Sequence, residues 1–190
     1  MIFAAEWNSL ELAKILVGIL TPLAIFFLGV WISREARMWE DRRWLDRKLY
    51  ERRFEFWDEM GPRLNDLLCF FTFVGHYREV TPPQAVKIKR DLDRIFFANR
   101  HLFPKPVSDA YLDFHDACFQ HFVAVATDAR LRSSSSRQRQ ERREWKPEWD
   151  ALFVSDPDEM CDPREIAEKY DHLVFAYTTI TDAGLAAAGR

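Results

Sequence analysis

Residues 12–32 read LAKILVGILTPLAIFFLGVWI, with Lys14 as the one charge in the run. A helix of this length reaches about 31 Å, which matches a hydrocarbon core of about 30 Å. Lys14 falls in the first turn, where its stem can carry the ammonium to the interface. Trp7 and Trp31 flank the run, as interfacial tryptophans do. A cleaved signal peptide fits poorly, because Glu6 and Glu11 precede the run and no small-residue cleavage pattern follows it. The sequence therefore predicts a single transmembrane helix from Leu12 to Ile32. Pro22 lies mid-span, and Gly18 and Gly29 offer points of close helix approach without forming a GxxxG pair.

The flanks set the expected orientation. Arg34, Arg37, Arg42, Arg43, Arg47, Lys48, Arg52 and Arg53 follow the run, against Lys14 and the terminal amine before it. The positive-inside rule places the C-terminal side in the cytoplasm of a bacterial inner-membrane protein, with residues 1–11 outside. Cys69, Cys118 and Cys161 are odd in number and irregular in spacing, which suits free thiols in a reducing compartment better than a disulfide framework.

Beyond the span the pattern is helical. Met38, Leu45, Leu49, Phe56 and Met60 recur at helical steps along a stalk over residues 33–60. Arg37/Asp41, Arg42/Asp46 and Arg47/Glu51 are spaced to pair on its other faces, at about 0.2–0.5 kcal/mol each. Gly61-Pro62 predicts a break and a fresh helix to about residue 75, with Leu64, Leu67, Leu68, Phe71 and Val74 inward. Thr81-Pro-Pro-Gln84 is a capping-box start for a helix to about His101, with Ala85, Ile88, Leu92, Ile95 or Phe96, and Asn99 inward. After the turn at 103–106, Ser108 is expected to cap a helix reaching Arg132, with Tyr111, Phe114, Cys118, Phe122 and Val125 inward. Asp162-Pro-Arg-Glu165 starts another, carrying Ile166, Tyr170, Leu173, Val174 and Tyr177.

Residues 133–146 read SSSSRQRQERREWK and predict a flexible basic surface loop. The tail at 184–190 is expected to fray. No segment alternates with period two, and only 6 glycines are present. The expected fold is all-α: a transmembrane helix, a stalk, and a four- or five-helix antiparallel cytoplasmic bundle over residues 61–183. The net charge of −3 gives no global nucleic-acid signature.

The chain carries no phosphate-binding glycine loop, CxxC, HExxH or GxSxG motif, which counts against the common NTPase and hydrolase classes. His115, Cys118 and His121 spread over about 120° of a helix, too wide for convergence on a metal. No metal and no cofactor are expected. Arg94 and His101, seven residues apart, have two readings. One is a solvated arginine and a histidine at a helix end, where the dipole favours a cation. The other is catalytic, since the spacing resembles the R-x4-6-H motif of HEPN ribonucleases, helical bundles in which that pair cleaves RNA without metal; Ile95 stands where that family usually carries a polar residue. Asn65, Asp66, Lys89, Arg90 and Asp93 lie within apolar runs and read as a polar network tying two helices together, or as the wall of a ligand pocket.

The stretches NDLLCFFTFVG (65–75), TPPQAVKIKRDLDRIFFANRHLF (81–103), YLDFHDACF (111–119) and DARLR (128–132) resemble a family of small uncharacterised bacterial single-pass membrane proteins with the same anchor-first layout. That resemblance implies no catalytic residue. A looser likeness of layout is to the membrane proteins that accompany type VI-B CRISPR effectors, which join an anchor to a HEPN-like domain and assemble as ring-shaped pores. Three functions follow, in order. The first is a non-enzymatic, self-associating membrane protein that recruits or senses a cytoplasmic protein partner. The second is a pore-forming effector in phage defence, and the third a HEPN-like ribonuclease. The lipid bilayer and further copies of the chain are the expected partners, with RNA a further one through the basic loop.

Overall fold

The computed structural model describes residues 9–121 and 129–188, and their side chains except 9–13, 15–16, 37–43, 45–46 and 182–188. The expected positions Leu12, Met38, Leu45, Phe122 and Val125, and the pairs Arg37/Asp41 and Arg42/Asp46, lie outside the described side chains. The chain divides into two units, Met1–Arg47 and Lys48–Arg190.

In the first unit the backbone is helical from Ser9, within α1 (Ser9–Thr72). Val17–Ala36 is long and apolar enough to cross a membrane, and none of it is buried in the protein. Phe26, Phe27 and Trp31 are each about two-thirds exposed, and Lys14, Gly18, Pro22, Gly29 and Ile32 are exposed as well. Just before Pro22, the Thr21 hydroxyl donates to the Val17 carbonyl at 2.7 Å. The Thr21 hydroxyl is thereby satisfied within the helix.

The second unit is all-α, with a β clip. Its elements are the remainder of α1, α2 (Pro82–Asn99) with a 3-10 turn at Arg100–Leu102, α3 (Lys105–Cys118), β1 (Phe119–Gln120), β2 (Arg130–Leu131), α4 (Ser135–Gln140), 3-10 turns at Pro147–Leu152 and Pro157–Glu159, and α5 (Pro163–Ala188). Neighbouring helices run antiparallel. Along α1 and α5, Tyr177 donates to the Arg53 carbonyl and stacks on Trp57, while Tyr170 lies by Cys69. Along α2 and α3, Phe96 stacks on Tyr111 at 3.8 Å and Asp93 reaches His115. The core is aromatic: Phe70, Phe71, Phe96, Tyr111, Phe114 and Phe119 are essentially sealed from solvent.

Several expectations fail here. Gly61-Pro62 does not break the chain, for α1 runs through it. Phe56, Met60, Leu64, Leu67 and Phe70 bury one continuous stripe across the site. An interior proline costs about 3 kcal/mol, and each of these side chains gains about 1.5–3 kcal/mol on burial, so burial wins. The helix ends at Thr72, not near residue 75, and Val74 is 63% exposed where it was expected inside. Phe73 turns left-handed (φ 62°), and Gly75 follows at φ 63°. A Cβ on Gly75 would sit 3.3 Å from Cys69 Sγ, so that position calls for glycine twice over.

The helix expected over 108–132 is shorter. Pro106 sits in the first turn of α3, which starts at Lys105, and the helix stops at Cys118. β1 pairs antiparallel with β2, Phe119 opposite Leu131. The Leu131 carbonyl accepts from Val154 N and the Arg132 carbonyl from Cys161 N, both at 3.0 Å. Arg132 then caps α3 from outside: its guanidinium donates to the Asp116 and Glu159 carbonyls, each at 2.7 Å. The carbonyls a helix leaves unpaired at its C-terminal end are here satisfied by a distant side chain.

The segment 133–146, expected as a flexible loop, holds α4 and packs into the fold. Ser134 caps α4, accepting from Arg137 N. Gln138 is completely buried, and its Nε2 donates at 2.9 Å to the Phe70 carbonyl in the last turn of α1. Arg142 donates to Gln138 Oε1 and to the carbonyls of Tyr77 and Arg78. The tail differs too: α5 runs through its alanine run to Ala188, consistent with the highest helix propensity of any residue.

The capping signals did form. Gln84 Oε1 accepts from Thr81 N at 2.7 Å, and Asp162 Oδ1 from Arg164 N at 2.7 Å. Ala85, Leu92 and Phe96 are buried on α2, and Ile166, Leu173 and Tyr177 on α5.

Candidate functional site

The five polar positions singled out in the sequence separate into distinct places. Lys89 and Asp93, one helical turn apart on α2, form an ion pair at 2.6 Å with side chains only 13% and 24% exposed. The antiparallel crossing of α3 brings Tyr111 and His115 onto the same carboxylate. Tyr111 donates its hydroxyl to Asp93 Oδ1 at 3.1 Å. His115 Nδ1 lies 3.3 Å from that oxygen without hydrogen-bond alignment, and among the described residues neither ring nitrogen has a hydrogen-bond partner. The imidazole also packs against the Tyr111 ring at 4.2 Å.

Electrostatics hold this group in one protonation state. Burial pushes the His115 pKa down to about 3; Asp93 opposes the shift, and Lys89 and His121 add to it. His115 is therefore neutral at pH 7. Burial, reinforced by Asp93, pushes the Tyr111 phenol far up. The carboxylate is neutralised by Lys89 and bonded by a phenol that keeps its proton. Such a cluster ties α2 to α3, and its sealed imidazole offers no proton to solvent. At the exposed edge, His121 pairs with Asp116 at 3.0 Å.

Asp66 belongs elsewhere. Its Oδ1 is 2.7 Å from Nε2 of His76, in the turn after α1. The pair lines an open cleft of about 510 Å3, with Glu79, Gln84, Lys87 and Asp91 on its walls and Val80 and Ile88 beneath. Three carboxylates face one ammonium and one imidazole, so the cleft is acidic and favours a cationic or hydrogen-donating guest. Asn65 and Arg90 are exposed outside this cleft.

Arg94 and His101 are not brought together. Arg94 is exposed and bonds Asp91 at 3.5 Å. His101 lies in the 3-10 turn beyond the end of α2, where the α-helical register has already ended. Among the described residues no hydrogen bond or ion pair joins the two. His115 and Cys118 are core residues, while His121 faces the edge; among the described residues no group of three or more His, Cys, Asp or Glu side chains is placed to hold a metal ion.

Sequence reasoning missed His76, Gln138 and Arg142: His76 meets Asp66 through the turn after α1, and the backbone carbonyls that Gln138 and Arg142 bond lie far away along the chain, which no local spacing marks. Tyr111 and His115 were visible as an inward tyrosine and part of a histidine pattern, but their shared carboxylate was not. Comparison with known proteins found no matching family profile, no similar curated protein and no similar solved structure.

Proposed function

We propose that this chain is a single-pass inner-membrane protein whose cytoplasmic helical unit self-associates and recruits a partner. The observation that carries the reading is the Val17–Ala36 helix, which buries none of its apolar surface in the protein. Leu20, Ile25, Phe26, Phe27, Leu28 and Trp31 all stand more than half exposed. So large a contiguous apolar surface has no stable place in water and a natural one in lipid. The arginine-rich sequence after it orients the C-terminal unit to the cytoplasm. Support for self-association comes from Phe54, Phe97 and Phe175, aromatic side chains of the second unit that stay 49–69% exposed. The acidic cleft of Asp66, Glu79 and Asp91 supports recruitment of a basic segment.

The test is made on the full chain in bacterial membranes. The protein should resist alkaline carbonate extraction and leave with detergent. A reporter fused at the C-terminus should be active only if it is a cytoplasmic one. Lysine-directed cross-linking in intact cells should give discrete oligomers, weakened by Phe175→Ser with Phe97→Ser. Recovery in the supernatant after ultracentrifugation, or a periplasmic C-terminus, removes the anchor. A monomer alone under cross-linking removes the self-association.

A further inference from the structure

Two guanidiniums, Arg142 and Arg143, that among the described residues form no ion pair mark a second cavity. Arg78 and Thr81 from the turn before α2, Arg142, Arg143 and Glu144 from the segment after α4, and Trp149 from the 3-10 turn line a space of about 480 Å3. That volume falls within the roughly 300–1,000 Å3 of small-molecule sites.

The charge of Arg142 is unusual. Its Nε and Nη2 donate to Gln138 Oε1 at 3.2 and 3.0 Å, Nη2 also to the Tyr77 carbonyl at 2.8 Å, and Nη1 to the Arg78 carbonyl at 3.0 Å. Every acceptor is neutral. The group lies over the Phe70 ring at 5.2 Å and is pinned from both sides. Burial lowers its pKa, and the one opposing influence is Tyr77, not a carboxylate. A half-buried cation without a counter-charge is costly unless an anion supplies one. Arg143 is exposed beside it, and among the described residues no ion pair engages it. Arg78 is held by the Tyr77 hydroxyl at 2.9 Å and by Glu141 at 3.4 Å, which leaves much of its fork open.

Two lining groups argue against a plain inorganic anion. Glu144 is an acceptor, suited to hydroxyl or amine donors of the guest and unfavourable to bare phosphate. Trp149 brings an indole to the same wall, edge-on to Trp145 at 5.4 Å. A guest with an anionic end, hydroxyl or amino donors and a planar ring satisfies all of these together. We infer that this cavity binds a nucleoside phosphate, its phosphate on Arg78, Arg142 and Arg143, its base on Trp149 and its donors toward Glu144. The chemistry is the same for a free nucleotide and for the terminal nucleotide of an RNA strand.

Equilibrium dialysis of the full chain in detergent micelles tests this, with AMP, CMP, GMP, UMP, inorganic phosphate and a mixed-sequence RNA hexamer as probes. At least one nucleotide should bind at low salt, at least tenfold tighter than inorganic phosphate, and weaken as salt rises. Arg143→Gln, an exposed change that leaves the fold intact, and Trp149→Ala should each weaken it about tenfold, while Trp149→Phe should retain it. Unaltered thermal unfolding of Arg143→Gln confirms that binding, not folding, was changed. Tighter binding of the hexamer than of any mononucleotide identifies an RNA end as the guest, and the reverse order a free nucleotide. No binding by any nucleotide or by the hexamer overturns the inference. So does phosphate binding as tight as the nucleotides, or binding indifferent to Arg143→Gln and Trp149→Ala.

Discussion

Gln138→Leu tests whether the basic 133–146 segment is part of the fold. Gln138 is wholly buried and makes three hydrogen bonds. Leucine fills nearly the same volume and makes none. The Phe70 carbonyl, on a residue with no solvent exposure, loses its distant donor at a helix end that leaves carbonyls unpaired. A buried acceptor left unsatisfied costs about 1–3 kcal/mol. Arg142 loses two bonds to Oε1, but it is half exposed and regains water, so its share is discounted to about 1 kcal/mol. The added apolar atoms return about 1 kcal/mol. The net expected loss is about 1–3 kcal/mol, or roughly 3–10 °C in Tm for a unit of this size. The assay is tryptophan-monitored thermal unfolding of the full chain in micelles, alongside Gln140→Leu. Gln140 is an exposed neighbour in the same helix and should change stability by less than about 0.5 kcal/mol. Gln138→Glu separates the terms, since it keeps an acceptor for Arg142 but has no N–H for Phe70. It should remain destabilised. Equal and negligible effects of Gln138→Leu and Gln140→Leu would refute the docking of α4 and restore the solvated loop.

Other expectations are as direct. Tyr111→Phe removes the phenol from Asp93 while Lys89 remains, so unfolding free energy should fall by about 1–2 kcal/mol in a thermal melt. His115 has a folded pKa of about 3 against an ordinary value near 6.5, so between these limits the unfolded state binds the extra proton. Stability from this group is complete above about pH 6.5 and is lost as pH falls, at about 1.4 kcal/mol per pH unit. Melts at pH 6.5 and 5 should therefore differ by about 2 kcal/mol more in the wild type than in His115→Phe, and identical differences would remove the assigned shift. Leu20→Arg with Ile25→Arg places two charges in the span at about 2.5–3.5 kcal/mol each, so the carbonate-resistant fraction should collapse; unchanged membrane retention would show that this helix is not the anchor. Gly75→Ala forces a side chain onto a φ of 63° beside Cys69, and chemical denaturation should report a loss of about 1–2 kcal/mol.

What could be read from the sequence divides by the range of the interaction. The apolar span and the starts at Thr81 and Asp162 are properties of adjacent residues, and each appears where its local chemistry puts it. Lys89 and Asp93 stood out as polar residues within an apolar run, but their ion pair one helical turn apart and the Tyr111 and His115 side chains that join it were not read from the sequence. Gly61-Pro62 misled because its local cost is real but smaller than the burial on either side of it. Residues 119–132 misled differently. Phe119 and Leu131 pair with each other, and Arg132 reaches back to Asp116, so a helix continuing past Cys118 would forfeit partners invisible to a periodicity of 3.6.

The basic segment is the deepest failure, and its physical cause bears on the candidate sites. Polar, low-complexity sequence cannot build a core of its own, which is why composition assigns it to solvent. It can still dock where a fold leaves polar groups unpaired. The end of α1 and the turn after it present the carbonyls of Phe70, Tyr77 and Arg78, and Gln138 and Arg142 satisfy all three. Glu141 of the same segment accepts from Tyr77 and Arg78, but Arg142 is held by neutral acceptors alone and carries its positive charge into a partly buried place. The Lys89–Asp93 cluster, by contrast, is charge-balanced within itself, and its imidazole is sealed from solvent. By that criterion the unbalanced arginines, and not the polar residues most conspicuous in the sequence, are where an anionic guest completes the structure.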